Sequence, residues 1–374
     1  MEAWHPDHHK DPAKNLAGRL LARLKILAAA IAGQCGRRLV IMEVCGTHTV
    51  ALARTGLRNL LAGYIDLRSG PGCPVCVTAP EEIDYMLLLA RQEGVIIATF
   101  GDMVRVPGSN DSLEKARMEG CQVRVCYSPR EAVELARANP GKEVVFLGIG
   151  FETTAPAVGL AVKEAAALGL KNFSLHSVHK LVPPALAALA ADPDLKLDGL
   201  LLPGHVSAIL GRRAFNFLAA EYKLPAVVAG FEVLDILGAL LELLLQIQQG
   251  KTQVGNAYPR VVSEGGNLKA QGILREVFAL APANWRGLGL IPQSGLKLNT
   301  AYQTFDATRR WPLELKPAPG PTGCRCDRVL KGLSLPTQCH LFGRSCTPLQ
   351  PVGPCMVSSE GSCAAYYRYS RGAG

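Results

Sequence analysis

The chain has 374 residues, of which 48% are hydrophobic and 19% are charged, so it has enough apolar material for two or three domains with buried cores. This composition excludes a disordered or collagen-like protein. Forty basic against thirty-one acidic residues leave a net charge of +9, and aromatic residues make up only 6%. Because the basic residues form no block and the aromatic residues are few, we expect no nucleic-acid partner.

Residues 1–32 predict an N-terminal helical segment, because basic residues are spaced through apolar ones from residue 16 to residue 31. The first 14 residues lack the features of a secretory signal, and no run of about 18 apolar residues predicts a membrane span. We therefore expect a cytoplasmic protein with no membrane partner. In that compartment the twelve cysteines are not expected to form a disulfide framework.

Short β-branched runs alternate with Ala- and Leu-rich helical patterns along the chain. Most of these runs are continuously apolar, which is typical of strands buried on both faces of a parallel sheet. The predicted strands are residues 39–44, 95–100, 122–126, 144–149, 173–175, 199–202 and 226–229, and the predicted helices include residues 79–92, 112–119, 129–138 and 155–168. The predicted fold class is α/β, with two similar tandem α/β domains whose parallel sheets are flanked by helices.

The predicted domains follow breaks in this pattern. The Asn-Pro-Gly at residues 139–141 separates α/β domain I (33–139) from α/β domain II (140–250). Residues 251–374 form a third domain that holds the C-terminal cysteines. Three prolines and two glycines within residues 316–323 cannot form a helix or a central strand, so a linker is predicted there.

Six cysteines are concentrated in residues 324–363, a segment too short and too poor in large apolar residues to be stabilised by burial alone. Four of them are spaced too widely and unevenly for the paired C-x2-C of structural zinc, and they suit a [4Fe–4S] cluster held by converging loops. These four are Cys324, Cys339, Cys346 and Cys363. Cys326 could replace Cys324, and Cys355 is a further spare thiol. A four-cysteine zinc site and inert buried thiols are the alternatives.

The motif GPGCPVC, residues 70–76, places Cys73 and Cys76 just before a predicted helix. Two thiols at this spacing can reach disulfide distance, and a helix N-terminus lowers a thiol pKa. The motif therefore predicts a redox-active pair. Half of a zinc site or simple loop packing is the alternative, although the chain has no second C-x-x-C that would complete a zinc site. An iron–sulfur electron-transfer reductase for protein disulfides is a further interpretation.

Polar residues follow three of the predicted strands, where α/β folds bind ligands. CGTHT, residues 45–49, begins directly after the strand at residues 39–44. It presents Cys45, a soft donor for low-valent iron, with His48 three residues later. Asp102 in TFGDM and His205 in PGHVS follow two further strands. A buried cysteine with loop-stabilising polar groups is the alternative interpretation.

Seven motifs taken together resemble those of a known family: CGTHT, GPGCPVC, TFGDM, GFETTAP, PGHVS, WRGLGLIPQSGL (residues 285–296) and GPCMVSSEGSCAAYY (residues 353–367). From about residue 39 to residue 367 the chain closely resembles the HypD family of [NiFe]-hydrogenase maturation proteins. The resemblance implies a scaffold and electron donor for assembly of the Fe(CN)2CO unit of the hydrogenase active site. It implies two partners, the small chaperone HypC and the cyanide-delivering HypE, and an indirect action on the hydrogenase large-subunit precursor.

The resemblance also implies roles for individual residues. Cys45 is the thiolate that holds the iron, shared with a cysteine of HypC, and Cys73 and Cys76 are the redox-active pair. The implied ligands of a [4Fe–4S] cluster are Cys324, Cys339, Cys346 and Cys363, and the implied secondary residues around the iron are His48, Asp102, His205 and Glu360. The implied cofactors are this cluster and a transient Fe(II) that carries CN and CO ligands. A zinc-stabilised docking scaffold stays open as the alternative.

Overall fold

A computed structural model describes residues 12–315 and 323–369 of the chain. Residues 1–11 of the predicted N-terminal segment and residues 316–322 of the predicted linker lie outside this range. The described residues form two compact units. The first contains the residues up to Gly70 together with Ala190–Gly266, and the second contains Pro71–Leu189 together with the residues from Asn267 onward.

The strands are β1 (Leu39–Glu43), β2 (Ile65–Ser69), β3 (Val95–Thr99), β4 (Gln122–Val125), β5 (Glu143–Gly148), β6 (Phe173–Ser177), β7 (Gly199–Pro203), β8 (Ala226–Ala229), β9 (Val254–Asn256), β10 (Phe278–Trp285) and β11 (Gly289–Leu298). The helices are α1 (Pro12–Cys35), α2 (Gly46–Arg54), α3 (Leu57–Leu61), α4 (Pro74–Val77), α5 (Pro80–Ala90), α6 (Gly101–Val104), α7 (Leu113–Met118), α8 (Pro129–Ala138), α9 (Ala155–Ala167), α10 (Val182–Ala190), α11 (Gly204–Leu210), α12 (Phe217–Ala220), α13 (Val233–Gln248), α14 (Leu268–Val277), α15 (Ala307–Arg310), α16 (Cys326–Leu330), α17 (Pro354–Val357) and α18 (Ser362–Tyr369). Short 3-10 helices lie at Arg212–Phe215, Gln303–Phe305 and Pro336–Gln338.

The first unit is built on a five-stranded parallel sheet in the order β2-β1-β7-β8-β9. At its centre Ile41 of β1 is opposite Leu67 of β2 on one side and Gly199 of β7 on the other. The chain leaves β1 toward β2 and leaves β7 toward β8, in opposite directions across the sheet. The carboxyl ends of β1 and β7 therefore form a topological switch point, the usual ligand site of such sheets.

The core of the first unit lies between this sheet and two long helices, α1 and α13. Leu24 and Ala28 of α1 and Leu240 and Leu244 of α13 are fully buried in it. Each such leucine contributes about 1.5–3 kcal/mol of burial free energy. Helix α1 confirms the predicted N-terminal helix. No helix among the described residues is both long and apolar enough to cross a bilayer.

The second unit contains a four-stranded parallel sheet in the order β4-β3-β5-β6. Every residue of β3 is buried, and Ile97 at its centre is opposite Val123 of β4 and Val145 of β5. The edge strand β4 buries only Val123. The switch point of this sheet lies between β3 and β5, so the residues that follow these two strands are placed at its ligand-binding edge.

An antiparallel hairpin of β10 and β11 also belongs to the second unit. Its register shifts around Pro282, which has no N–H to donate to the ladder and is accommodated by a bulge. Bridges from Trp285 to Thr78 and from Gly295 to Lys180 attach the hairpin to the rest of the unit. The buried Lys180 ammonium forms an ion pair with Glu82 of α5, with 2.5 Å between Nζ and Oε1.

The predicted α/β class, with two parallel sheets flanked by helices, is confirmed. The strands of the second sheet, β3–β6, form one continuous stretch of the chain, which is inserted between β2 and β7 of the first sheet. The predicted boundary between residues 139 and 140 therefore runs through the second sheet, between β4 and β5. The local sequence pattern identifies strands but carries no information on which distant strands pair. It also missed β2, β9 and the hairpin, whose prolines are tolerated because a two-stranded ribbon has open edges.

Candidate functional site

Cys45 follows the carboxyl end of β1, at the switch point of the first sheet. It is the N-cap of α2, with an extended backbone, and its side chain makes no capping hydrogen bond to the helix. The residue is 7% exposed. The dipole and the unpaired N–H groups of a helix N-terminus favour a thiolate over a thiol. This position is therefore suited to a soft metal ligand.

Glu43, the last residue of β1, is fully buried and fixes the start of α2. Its Oε2 accepts a hydrogen bond from the Cys45 N–H at 3.1 Å, and its Oε1 accepts one from the Thr49 hydroxyl at 2.6 Å. Burial raises the pKa of the Glu43 carboxyl to about 7, although the charge of Arg58 opposes this shift. Glu43 was not predicted from the sequence. The available signal was an acidic residue within an otherwise apolar strand.

His48 lies in the first turn of α2 and is fully buried. Its Nε2 is 2.8 Å from the carbonyl oxygen of Gly230, so this nitrogen carries the proton and donates it. Burial lowers the pKa of His48 to about 4, and the ring is therefore neutral at physiological pH. Its Nδ1 has no hydrogen-bond partner in the described part of the chain, which leaves one buried lone pair on the ring.

The ring of Phe231, which follows β8, lies against both predicted histidines. Its centroid is 4.8 Å from that of His48 and 3.9 Å from that of His205. His205 is the second residue of α11 and follows β7. The first unit thus gathers Cys45, His48 and His205 at one edge of its sheet, as predicted for residues that follow strand ends. Phe231 was missed because an aromatic residue after a strand is usually core packing.

In the second unit Cys73 and Cys76 form a disulfide, with 5.2 Å between their Cα atoms. Both residues are buried. Cys73 is the N-cap of α4, and its Sγ accepts a hydrogen bond from the Cys76 N–H at 3.2 Å. The structure therefore contains the oxidised form of this pair.

The C-terminal cysteines line one small cavity of about 20 Å³, which is partly open to solvent. Its thiols are Cys324, Cys326, Cys339, Cys346, Cys355 and Cys363. All four predicted cluster ligands are in this set. Gly353 lets the chain approach closely, since a Cβ there would lie 2.6 Å from the Cys324 Sγ. Several soft sulfur donors around one partly closed cavity fit an iron–sulfur cluster.

The protonation of these thiols reflects their crowding. The hydrogen bond with Cys326 and burial raise the pKa of Cys324 far above its usual value, and burial raises the pKa of Cys363. Iron bound to such thiols would take the place of their protons. No three His, Cys, Asp or Glu side chains within residues 12–315 and 323–369 are close enough together to hold a single metal ion. A cluster is larger than a single ion, so its ligands need to line a common cavity and need not all lie within reach of one point.

Two thiols of the cavity that are not among the four predicted ligands lie side by side. The Sγ atoms of Cys326 and Cys355 are 2.7 Å apart, and both residues are buried. The Cys76 Sγ is 3.9 Å from the carbonyl oxygen of Pro354, the residue before Cys355. The C-x-x-C loop and the cavity are therefore neighbours within the second unit. The sequence left Cys326 and Cys355 as spare thiols because their separation along the chain does not indicate a pair.

The two predicted acidic residues are linked through one hydroxyl. Ser358 Oγ donates a hydrogen bond to Asp102 Oδ2 at 3.0 Å and accepts one from the Glu360 N–H at 3.3 Å. Asp102 follows β3 at the switch point of the second sheet, and Glu360 lies between α17 and α18. The predicted site residues therefore fall into two groups, one in each unit. One group contains Cys45, His48 and His205, and the other contains the C-x-x-C pair, the acidic residues and the cysteine cavity.

Comparison with known proteins bears on this arrangement of thiols. A family model described as HypD, hydrogenase formation hypA family, matches residues 21–370. The hydrogenase maturation factor HypD of Azotobacter vinelandii is 46% identical over 359 residues, which cover 94% of this chain and 95% of that protein. The chain belongs to the HypD family.

Further HypD relatives match over nearly their whole length. The hydrogenase maturation factor HypD of Rhodobacter capsulatus is 44% identical over 96% of both chains, and that of Escherichia coli K12 is 42% identical over 97% of both chains. The family that the seven motifs indicated is thereby confirmed. Membership assigns this chain to hydrogenase maturation.

Proposed function

We propose that this HypD-family chain is a scaffold and electron donor for assembly of the Fe(CN)2CO unit of [NiFe]-hydrogenase. In this proposal iron is cargo that is held by the Cys45 thiolate together with a cysteine of a HypC-like chaperone. A HypE-like protein delivers cyanide, and the completed unit passes indirectly to the hydrogenase large-subunit precursor.

The observation that carries the proposal is the single cavity lined by six cysteines, with the Cys73–Cys76 disulfide beside it. Cys324, Cys339, Cys346 and Cys363 would hold a [4Fe–4S] cluster, which supplies single electrons when bound. The two thiol pairs carry electrons two at a time. When one S–S bond breaks, two electrons and two protons are taken up and two thiols form. The contact between Cys76 and Pro354 keeps the two pairs close together.

The iron-holding role of Cys45 is supported by its surroundings in the first unit. Cys45 lies at the N-terminus of α2, and Glu43 accepts a hydrogen bond from its backbone N–H. A thiolate with soft character retains low-valent iron. His48 and His205 lie at the same sheet edge, and the neutral ring of His48 is suited to accepting a hydrogen bond or binding a metal. Asp102 and Glu360, which belong to the second unit, are also proposed as secondary residues.

The chemistry of the thiols supports a particular cellular compartment for this protein. Dithiol pairs and cluster-ligating thiolates must stay reducible, and the cytoplasm keeps thiols reduced. We therefore propose a cytoplasmic site of action, where the chaperone and the cyanide donor would also meet the chain.

The test compares three forms of the chain, each purified anaerobically after co-expression with its chaperone. They are the wild type, Cys45→Ala and Cys35→Ala. Cys35 is an exposed free cysteine of the same unit, so its variant is the matched control. We expect Cys45→Ala to lose the infrared stretching bands of bound CN and CO, because the iron is no longer held. Its broad visible cluster absorption should persist, and Cys35→Ala should match the wild type.

Three results would contradict the proposal. Undiminished CN and CO bands in Cys45→Ala would place the iron elsewhere. A colourless wild type that contains zinc but no acid-labile sulfide would indicate a zinc-stabilised docking scaffold. A wild type with a cluster but without CN or CO bands would indicate an electron-transfer reductase.

A further inference from the structure

A buried arginine lies at the turn between β10 and β11, in the motif WRGLG. Arg286 is 9% exposed. Its backbone N–H donates to the carbonyl oxygen of Val77 at 2.9 Å, and its Nε donates to that of Thr78 at 3.0 Å. Its Nη2 is buried without a hydrogen-bond partner within the described residues. A buried charge is costly unless an opposite charge offsets it, and no carboxylate of the described residues is paired with this guanidinium.

Arg286 lies beside two thiols of the cysteine cavity. Arg286, Cys324 and Cys326 line a common pocket of the second unit. Asp327 also lines this pocket, but it is exposed and forms no ion pair with Arg286 among the described residues. The buried negative charge that would offset Arg286 is therefore that of the cysteine sulfurs and of whatever they bind.

The local sequence brings Arg286 to this place from two sides. On one side its neighbour Trp285 forms a bridge with Thr78, just after the C-x-x-C loop. On the other side Gly287 has a φ of +85°, and a Cβ there would lie 2.8 Å from the carbonyl oxygen of Asp327. Only glycine permits this approach to the first turn of α16, which begins at Cys326. The turn is thus held between the C-x-x-C loop and the cavity.

We propose that Arg286 is a positioning residue whose buried positive charge raises the reduction potential of the cluster bound by the cavity cysteines. The inference rests on the proposed function, because it requires the cluster to be bound. When the cluster accepts one electron from dithionite, no bond forms or breaks and the cavity gains one negative charge. A nearby cation stabilises this more negative form, since net charge and hydrogen bonding around the sulfurs set the potential.

The experiment measures the midpoint potential of the cluster in the anaerobic full-length chain by optical titration. Iron, acid-labile sulfide and circular dichroism are measured on the same samples. The variants are Arg286→Gln, which removes the charge, and Arg286→Lys, which keeps it. Both variants lose the hydrogen bond from the guanidinium Nε to the carbonyl oxygen of Thr78. Arg328→Gln, an exposed arginine on α16, is the matched control.

We expect Arg286→Gln to bind a full cluster that is at least tenfold harder to reduce, a lowering of about 60 mV for a one-electron couple. Arg286→Lys should stay near the wild-type potential, and Arg328→Gln should not change it. If Arg286→Gln loses the cluster while Arg286→Lys keeps it at the wild-type potential, the charge is again the cause.

Two results would overturn the inference. One is a full cluster with an unchanged potential in Arg286→Gln. The other is equal loss of the cluster in Arg286→Gln and Arg286→Lys, which would show that only the bond to Thr78 matters. A wild-type chain without iron or sulfide would instead reject the proposed function itself, so the two failures are distinguishable.

Discussion

Buried acidic residues stand at strand ends in both units of the molecule. Glu43 ends β1, and Glu152 follows β5 in the motif GFETTAP. The Glu152 side chain is almost fully buried, and its Oε1 accepts a hydrogen bond from the Val182 N–H at 2.9 Å. Its Oε2 has no partner among the described residues. With so little to stabilise the anion, burial raises the pKa of Glu152 from 4.5 to about 8.

This pKa makes stability depend on pH. Between pH 4.5 and pH 8 the unfolded chain releases the Glu152 proton and the folded chain keeps it. The free energy of unfolding therefore falls as the pH rises, by up to about 1.4 kcal/mol per pH unit. We expect Glu152→Gln, which keeps the Oε1 acceptor and cannot ionise, to remove this slope. It should unfold at a higher urea concentration than the wild type at pH 8 and at a similar one at pH 5.

The control for this measurement is Glu134→Gln, at an exposed position of α8. Its stability should follow the wild-type curve at every pH. A Glu152→Gln curve parallel to the wild type between pH 5 and pH 8 would show that Glu152 is ionised in the folded protein.

At the scale of elements, the turn of the β10–β11 hairpin decides how closely α16 can approach. Gly287 and Gly289 lie two residues apart and both have a positive φ. A Cβ at Gly287 would lie 2.8 Å from the Asp327 backbone, whereas a Cβ at Gly289 would meet nothing within 4 Å. The two positions share the conformational requirement for glycine and differ in packing.

We therefore expect Gly289→Ala to lower the free energy of unfolding by about 1–2 kcal/mol, because an L-residue is strained in the left-handed region. Gly287→Ala should cost more, because backbone atoms must also move apart and α16 carries Cys326. Urea unfolding measures the two costs, and the visible absorption reports on the cysteine cavity. If both variants lose the same unfolding free energy and the visible absorption is unchanged, a side chain at position 287 does not displace α16.

Several elements could be predicted from the sequence, and others could not. Helix α8 was predicted with its observed bounds, because Ser128 and Glu131 form a capping box and Pro129 occupies the first turn. The strands β3, β5, β7 and β8 were predicted from another local signal, their continuous apolar runs. Strand β9 was missed because it has only three residues. Strand β10 was missed because Pro282 interrupts its pattern.

At the scale of the whole molecule, the last part of the second unit differs from the rest in what stabilises it. The two parallel sheets have continuous apolar cores. Residues 324–363 instead gather around a cavity of thiols and bury few large apolar side chains. A segment of this kind depends on a bound metal for most of its stability.

Loss of the proposed cluster should therefore increase the mobility of this segment selectively. We expect Cys339→Ala to bleach the broad visible absorption and to speed amide hydrogen exchange in residues 324–363. The amides of β1, β3, β5 and β7 should stay protected, because burial of apolar strands protects them. Cys121→Ala, a cysteine outside the cavity, is the control. Unchanged absorption in Cys339→Ala would move a cluster ligand elsewhere, and unchanged exchange after bleaching would show that the segment folds by packing alone.

The sequence by itself determined the α/β class, most of the buried strands and the candidate sulfur ligands. These follow from hydrophobic periodicity, capping and motif spacing, which act between residues close along the chain. The tertiary structure alone decided that the second sheet is inserted between β2 and β7 of the first, that Cys326 lies beside Cys355, and that Arg286 reaches Thr78 across 208 residues. Such contacts depend on which distant segments bury each other's surfaces, and local sequence carries no record of that choice.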